Sequence, residues 1–489
     1  MRKIFCIIFL LCTVICRYLP GQEVLISQPE KITAGISKVE VLGRNNHGIL
    51  VRHTVKDQEG IQCFYDNMSL RWKKTIQQRE RNSNLEEVIM YPDSLLFFYT
   101  VVVKNLTLLK AYKTSDRIES SSRLVVCDTL SKTLLSPTPK TYFSTSPDKR
   151  YILFWFTDHN FNDNQLLHVS CINLTLNKLW STSLRITGLA HPEVLTALPD
   201  SMGNACIISG DFKAKNFNNN FPYASLMISS IKEKGLKVHQ QNITQQETLY
   251  TSCEARPDFK NGNVAIAGLF AHNAGTESEG SYFMLFNMRM DSLLVQRYDG
   301  FSTDLLSQLT GNAPPKKNDG FYDFQPKELI VKRDGGAIFI AEAQSITSEA
   351  YNTPPFGSFG LSTGFTVNYY HYDDLAVTSF RLDGTVEWKQ ILHKKQGTEG
   401  DGGFYSSIAT MIAQAQLFLI YNDAVNGQTS VADYAINADG YQQRNDLFSA
   451  DRKGVSLALR QAKQISATEI VIPSFKRNYL QFVKINFAP

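Results

Sequence analysis

A ten-residue pattern that recurs along the chain is the feature that most restricts its fold. In three copies a tryptophan stands nine positions after a small strand residue: Cys63–Trp72, Cys171–Trp180 and Ser379–Trp388. A fourth copy, Leu285–Leu294, ends in leucine instead. Turn-forming Asn, Asp or Gly residues lie inside each copy, which indicates a tight hairpin. One such unit is too small to bury both faces of its own sheet, so neighbouring units have to stack.

Looser copies bring the number of repeat units to eight. They begin at Val125, Met227, Asp433 and Phe482. Between them, short runs rich in Val, Ile, Phe, Tyr and Thr alternate with turn residues, and helical periodicity is nearly absent. The pattern predicts an all-β chain. Radial stacking of the units predicts a β-propeller of eight four-stranded blades, with seven as the alternative count, closed by pairing of the N- and C-terminal strands. Two stacked β-sandwich domains are the alternative architecture.

The N-terminal segment 1–22 reads as a secretory signal peptide. Arg2 and Lys3 precede the apolar run Ile4–Cys16, which is too short to cross a bilayer. Residues 23–489 are expected to form a single propeller domain, with a long aromatic and glycine-rich loop insertion at about 344–374. The predicted location is periplasmic or associated with the outer membrane, in preference to release from the cell.

The remaining composition gives little information about a partner. Without residues 1–22, Lys and Arg fall from 50 to 47 against 46 acidic residues, a net charge of +1. A near-neutral surface offers no electrostatic basis for binding nucleic acid, and no later stretch is long and apolar enough for a transmembrane segment. Five cysteines remain in apolar strand contexts, where cysteine behaves as a small buried hydrophobe: Cys63, Cys127, Cys171, Cys206 and Cys253. Whether any of them form disulfides stays open.

The insertion concentrates aromatic side chains among glycines and prolines. Flat amphipathic rings on an exposed segment suit contacts with sugars, peptides or proteins, because they supply contact area at a small entropic cost. The candidate binding residues are Tyr351, Phe356, Phe359, Tyr369, Tyr370, His371 and Tyr372. The alternative is that several of these rings fold back as a local plug over the blade.

Two further groups of residues could carry chemistry. An acid/base enzyme needs two carboxylates about 5 to 10 Å apart, and the secondary candidates for such a pair are Asp373, Asp374, Glu399 and Asp401. The oxygen ligands that Ca²⁺ prefers alternate along one polar segment as Asp158, Asn160, Asn162 and Asn164. That segment lacks the glycine and the distal glutamate of a calcium loop, so a plain hairpin tip is the alternative. No cofactor is predicted.

A resemblance to other proteins indicates the expected fold and cellular location. The stretch Tyr369–Trp388, continued through His393–Gln396 and Asp401–Ser407, resembles uncharacterised exported propeller-like proteins of Bacteroidetes. The resemblance implies a propeller in the cell envelope and brings no active-site residue with it. The predicted function is a non-enzymatic scaffold that binds an envelope protein or glycan, with a peripheral outer-membrane complex as a possible setting. The alternative is a propeller-type polysaccharide hydrolase or lyase that uses the carboxylates near 373–401.

Overall fold

The computed structural model describes most of the chain and divides it into two compact units. The described residues are 22–32, 36–56, 58–76, 80–118, 123–131, 139–158, 166–212, 222–258, 260–272, 277–310, 321–322, 324–352, 364–425 and 428–487. One unit comprises residues 77–407, and the other comprises residues 1–76 together with 408–489. Each unit consists mainly of antiparallel β-sheet.

In the described part of unit 77–407, five four-stranded meanders follow one another and are numbered here as sheets 2 to 6. Sheet 2 comprises Ser83–Met90, Ser94–Val103, Leu106–Ser115 and Val125–Ser131. Sheet 3 comprises Tyr142–Thr145, Tyr151–Asp158, Leu166–Asn173 and Lys178–Arg185. Sheet 4 comprises Pro192–Pro199, Ala205–Phe212, Tyr223–Lys232 and Lys237–Ile243.

Sheets 5 and 6 complete this unit. Sheet 5 comprises Glu254–Asp258, Asn263–Ala271, Gly280–Asn287 and Ser292–Gly300, and the short strand Leu249–Tyr250 joins it to sheet 4. Sheet 6 comprises Phe324–Val331, Ala337–Asn352, Gly364–Phe380 and Val386–Leu392, with Gly397–Glu399 added to its third strand. The helix Thr303–Thr310 follows the last strand of sheet 5 along the chain. A small separate ladder pairs Glu277–Ser278 with Phe321–Tyr322.

The other unit contains sheets 1, 7 and 8. Sheet 1 comprises Ile36–Asn45, Gly48–Val55, Gln58–Phe64 and Leu70–Thr75. Sheet 7 comprises Ile408–Ala413, Gln416–Val425, Gln428–Ile436 and Gln442–Ser449. Sheet 8 comprises Glu23–Ile26, Tyr479–Asn486, Glu469–Lys476 and Lys463–Gln464, with Glu30–Lys31 paired to its second strand. The helix Ala450–Lys453 and the 3₁₀ helix Leu459–Gln461 connect sheets 7 and 8.

The fold class predicted from the sequence is confirmed. The described chain is all-β, and its sheets are four-stranded antiparallel meanders of the kind that form the blades of a β-propeller. Eight of them can be traced in the described ranges when the nine-stranded sheet is divided at Leu249–Tyr250. The predicted terminal pairing is also present: Glu23–Ile26 lies antiparallel to Tyr479–Asn486, and the Phe482 N–H donates to Ser27 Oγ at 2.9 Å.

The four hairpin copies differ in how their repeat residues pair and pack. Cys63 and Trp72, Cys171 and Trp180, and Ser379 and Trp388 are each directly paired across two strands. Trp180 is only 7% exposed and lies in one core cluster with Ile207 and Met227 of sheet 4, so this repeated tryptophan is a spacer that fills the gap between two stacked sheets. In the fourth copy a bulge makes Val295 the partner of Leu285, and Leu294 is 46% exposed.

The five cysteines contribute to these cores as reduced thiols. All five are free; Cys63, Cys127, Cys171 and Cys206 are buried, and Cys253 is half-buried. Burial raises the pKa of Cys127 and of Cys171 to about 12, so both thiols remain protonated at neutral pH. In the part of the chain that the structure describes, none of the helices is both long enough and apolar enough to span a bilayer.

Candidate functional site

The two central strands of sheet 6 are much longer than their neighbours and continue beyond the sheet. Ala337–Asn352 and Gly364–Phe380 stay paired from Gln344 with Tyr372 out to Asn352 with Gly364, past the reach of the outer strands. The strand Gly397–Glu399 pairs with Tyr369–His371. Residues 344–352, 364–372 and 397–399 are called the ribbon below.

The ribbon corrects the expectation of a long loop at 344–374. The described part of that region is a β-hairpin, because Thr366-Val367-Asn368-Tyr369-Tyr370 supplies the β-branched and aromatic residues that strands favour. Residues 353–363 lie outside the described residues, and Phe356 and Phe359 are among them. The side chain of Tyr351 also lies outside them.

Side chains alternate between the two faces of the ribbon. Tyr369, His371 and Thr347 share one face, where Thr347 Oγ1 lies 3.1 Å from His371 Nε2. Tyr370, Asn368 and their cross-strand partners share the other face, where Ser348 Oγ donates to Asn368 Oδ1 at 2.7 Å. Apolar groups are also exposed on the ribbon, since Ile346 is 60% and Phe365 is 56% accessible.

The predicted binding residues divide according to burial. Tyr369, Tyr370 and His371 are half-buried, so part of each ring reaches solvent. Tyr372 is only 7% exposed, and its ring lies so close to Gly403 that a Cβ there would come within 2.4 Å of Tyr372 Cε2. Tyr372 therefore belongs to the base that supports the ribbon.

Three of the four candidate carboxylates hold backbone groups near that base. Asp373 and Asp374 lie at the irregular position between the ribbon and the sheet, where the pairing register shifts. Asp373 Oδ1 accepts from the Gln396 N–H at 3.2 Å, and Asp374 Oδ1 accepts from the Lys394 N–H at 3.3 Å. Asp401 Oδ1 accepts from the Gly403 N–H at 2.8 Å. Glu399 is exposed opposite Tyr369 on the third strand.

Asp374 also contacts an exposed imidazole. Its Oδ2 lies 3.2 Å from His393 Nδ1, and the His393 side chain is 60% exposed. A carboxylate in this position orients the imidazole ring and favours the tautomer with a proton on Nδ1. This is the arrangement at the ribbon base that could move a proton to or from a ligand.

A buried polar cluster lies beneath the ribbon, and it consists of Glu342, Lys394, Gln396 and Ser407. The side chains of Glu342 and Lys394 are fully buried, with Lys394 Nζ 2.8 Å from Glu342 Oε1. Nζ donates to Gln396 Oε1 at 2.9 Å and to the Tyr372 carbonyl at 2.7 Å, while Ser407 Oγ donates to Glu342 Oε2 at 2.6 Å. Burial lowers the pKa of Lys394, and the Glu342 carboxylate opposes that shift.

This cluster is not predictable from the sequence alone. Its four members come from three separate segments of unit 77–407, and their chemistry depends on contacts between those segments. The only sequence signal is a lysine and a glutamine two positions apart beside the predicted insertion. Lysine is seldom buried without a partner, but one chain gives no means of recognising that Lys394 is buried.

The predicted calcium site lies outside the described residues. Asn160, Asn162 and Asn164 lie outside them, as does the side chain of Asp158. Among the residues that the structure does describe, no group of three or more His, Cys, Asp or Glu side chains is positioned to hold a metal ion.

A second concave region lies on unit 77–407, between sheets 3 and 4. The cleft has a volume of about 550 Å³ and is lined by Tyr151, Trp180 and several polar residues. Two of its cations are already paired within the protein, since Lys178 Nζ lies 3.0 Å from Asp128 and Arg150 Nε lies 2.5 Å from Asp148. Because these two cations already have partners within the protein, the cleft is a weaker candidate binding site than the ribbon.

Comparisons with known proteins give distant structural likenesses. No protein-family model matches the chain, and a search of curated proteins finds no match. Among solved structures, the polysaccharide lyase Uly1 is similar at a TM-score of 0.37 and 10% identity, over 82% of this chain and 90% of that one. A PL25 ulvan lyase is similar at a TM-score of 0.36 and 8% identity, over 81% of this chain and 90% of that one. A protein from Lactobacillus plantarum is similar at a TM-score of 0.35 and 10% identity, over 88% of this chain and 96% of that one.

Proposed function

We propose that the chain is a non-enzymatic recognition protein of the cell envelope that binds a glycan through the ribbon. The observation that carries this proposal is the pair of half-buried rings, Tyr369 and His371, that share one face of a paired, projecting strand, with the half-buried ring of Tyr370 on the opposite face. Rings that are held by backbone pairing lose little conformational freedom on binding a ligand. The Thr347 hydroxyl on the Tyr369 face and the Asn368 amide on the Tyr370 face supply hydrogen-bonding groups of the kind that sugars require.

The placement of the carboxylates also supports binding over catalysis. Asp373, Asp374 and Asp401 each accept a backbone hydrogen bond that helps to fix residues 394–403 beneath the ribbon. Carboxylates that are used in this way maintain the shape of a binding surface. The expected location in the envelope follows from the signal-peptide reading of residues 1–22, and fractionation of the producing cell would test it.

The binding proposal is tested with a panel of neutral and acidic polysaccharides. We expect the full chain to retain at least one of them, and Tyr369→Ala and His371→Ala, which alter the same face of the ribbon, to weaken binding about tenfold or more, as for central residues of an interface. Tyr441→Ala is the matched control, because Tyr441 is a 71% exposed tyrosine of the other unit. Equal affinity of all three variants for a bound polysaccharide would contradict the assignment of the ribbon as the binding surface.

An enzyme that acts on polysaccharide is the second candidate, and one observation favours it. The imidazole of His393 is exposed and is oriented by Asp374, which is the arrangement of a general base. Such a base could abstract a proton next to a uronic acid carboxyl group and start an elimination. Release of unsaturated sugar ends by the purified chain, and its loss in His393→Ala, would establish this activity and displace the non-enzymatic proposal.

A further inference from the structure

The buried cluster beneath the ribbon holds an amine, a primary amide and a carboxylate in mutual contact. We propose that Lys394 and Gln396 become joined by an intramolecular amide bond, with Glu342 as the proton acceptor. This modification is independent of any ligand that the ribbon binds.

The amine and the amide are already within reaching distance. Lys394 Nζ lies 2.9 Å from Gln396 Oε1. Because a C=O bond is about 1.2 Å long, the Gln396 carbonyl carbon lies within about 4 Å of Nζ. Lys394 and Gln396 are both buried, whereas Lys395 between them is exposed, so the two reacting side chains point to the same side of the segment.

Glu342 is placed to take the proton that keeps the amine unreactive. Its Oε1 lies 2.8 Å from Nζ, and both side chains are fully buried. Two buried charges are costly to desolvate, so transfer of the proton from Nζ to the carboxylate gives a neutral pair that suits the site. Ser407 Oγ and Gln344 Nε2 donate to the other carboxylate oxygen at 2.6 and 3.1 Å, which fixes the orientation of the acceptor.

The amide carbonyl is polarised by a backbone donor. The Ser407 N–H donates to Gln396 Oε1 at 2.8 Å, and it would stabilise the negative charge that develops on this oxygen during attack. Ser407 is fully buried and has φ of 75°, which is a strained conformation for a residue other than glycine. The amide nitrogen that would leave donates to the Ser407 carbonyl at 3.4 Å.

The reaction balances without any further reagent. The neutral Nζ attacks the Gln396 carbonyl carbon and forms a C–N bond, and the carbonyl electrons move to Oε1. Glu342 then returns its proton to the amide nitrogen, the carbon–nitrogen bond to Nε2 breaks, and ammonia leaves. The second proton of the former ammonium passes through Glu342 to the departing ammonia, which leaves as ammonium, so the Glu342 carboxylate is regenerated and the positive charge of Lys394 leaves with that ion. Burial of the site keeps water from competing with the amine.

The test is mass spectrometry of the full folded chain after cleavage on the carboxyl side of glutamate. This cleavage releases Trp388–Glu399, which holds both reacting residues in its interior and does not begin with a glutamine that could cyclise by itself. We expect this fragment to be lighter than its sequence by one ammonia. Tandem fragmentation should give no breaks between Lys394 and Gln396.

Variants separate the roles of the three groups. Lys394→Arg and Gln396→Asn should give fragments of full sequence mass, because the first removes the nucleophile and the second withdraws the carbonyl. Glu342→Gln should give full mass as well, and Lys395→Arg, at the exposed neighbour, should still lose ammonia. A wild-type fragment at full sequence mass would overturn the proposal whether or not the variants fold, as would ammonia loss that persists in Lys394→Arg.

Discussion

At the scale of single residues, the buried polar side chains set the most specific constraints. Asp433 in sheet 7 has no exposed surface, and Asn445 Nδ2 donates to its Oδ1 at 2.8 Å. Burial raises the pKa of Asp433 from 3.8 to about 6, although the bond from Asn445 opposes the shift. The folded state therefore favours the protonated form and loses stability when this carboxyl group ionises.

This pKa shift predicts that Asp433→Asn increases the stability of the folded chain by an amount that depends on pH. The pKa of Asp433 is higher in the folded than in the unfolded chain. Its protonation therefore contributes fully to the free energy of unfolding below about pH 4, and this contribution is lost as pH rises through 6. At pH 8 the asparagine variant should be more stable than the wild type by up to about 3 kcal/mol, and the gain should vanish at pH 4. Urea unfolding at both pH values measures the difference.

The exposed Asp439→Asn variant serves as its control and should change stability at neither pH. An equal gain from Asp433→Asn at pH 4 and pH 8 would contradict the proposed effect of ionisation.

Trp180 illustrates a repeat residue whose role could be predicted from sequence. Its ring is 7% exposed, and Nε1 donates to the Gly203 carbonyl at 2.8 Å. Trp180→Ala should destabilise the chain by about 3 to 5 kcal/mol, because it leaves a cavity between sheets 3 and 4. Leu236→Ala, at an 86% exposed position of sheet 4's last turn, should cost less than about 0.5 kcal/mol in the same denaturation assay. Similar losses in the two variants would argue against a spacer role for the ring.

At the scale of elements, the ribbon depends on the turn beneath it. Gly402 and Gly403 both have left-handed backbones, with φ of 69° and 71°. They differ in surroundings, since a Cβ at Gly402 meets nothing within 4 Å, whereas one at Gly403 would clash with the Tyr372 ring. The two positions therefore share a backbone requirement and differ in the space available for a side chain.

This difference predicts unequal effects of the same substitution. Gly402→Ala should cost about 1 kcal/mol for the left-handed backbone alone. Gly403→Ala should cost a further ~1 to 3 kcal/mol for overpacking, because Tyr372 would have to move. Thermal unfolding compares the stabilities, and hydrogen exchange at Tyr369–His371 should rise only in Gly403→Ala. Matching exchange rates in both variants would show that the turn does not support the ribbon.

The ribbon also shows what could be predicted from sequence and what could not. The many aromatic residues of 351–372 predict a binding region, whereas its prolines and glycines favour a loop. The strand pairing from Gln344 to Asn352 depends on a partner strand a dozen or more positions away, which local pattern does not identify. For the same reason Tyr372 could not be distinguished from its neighbours as a buried residue.

At the scale of the whole chain, repetition made the architecture predictable. The hairpin signal lies inside each unit, so turn residues and a spaced tryptophan sufficed for the all-β class and for the strand pairings at Trp72, Trp180 and Trp388. The buried cluster of Glu342, Lys394, Gln396 and Ser407 has no repeat, and its members meet only in the folded unit. Repeated local features were therefore predictable, and unique long-range contacts were not.

Removal of the first strand tests the pairing that completes sheet 8. A chain beginning at Gln28 lacks Glu23–Ile26, all four residues of which pair with Tyr479–Asn486, and keeps Glu30–Lys31, which pairs with the same strand. The exposed edge of Tyr479–Asn486 should lower the thermal midpoint and promote aggregation relative to a chain that begins at Gln22. Light scattering during a thermal ramp records both effects. Identical curves for the two chains would mean that this pairing contributes little.

Completion of sheet 8 also imposes an order on biosynthesis. Glu23–Ile26 is made long before its partner, since Ser27 and Phe482, which are hydrogen-bonded next to this pairing, are 455 positions apart in the sequence. Loop-closure entropy grows only slowly with length, so this late encounter adds little to the free energy of folding, but it cannot occur until the strand Tyr479–Asn486 has been made. A chain that was truncated during translation or cut by a protease would keep an unsatisfied strand. A copy that stops before Tyr479 cannot complete sheet 8 and leaves Glu23–Ile26 unpaired, and quality-control proteases could act on that difference.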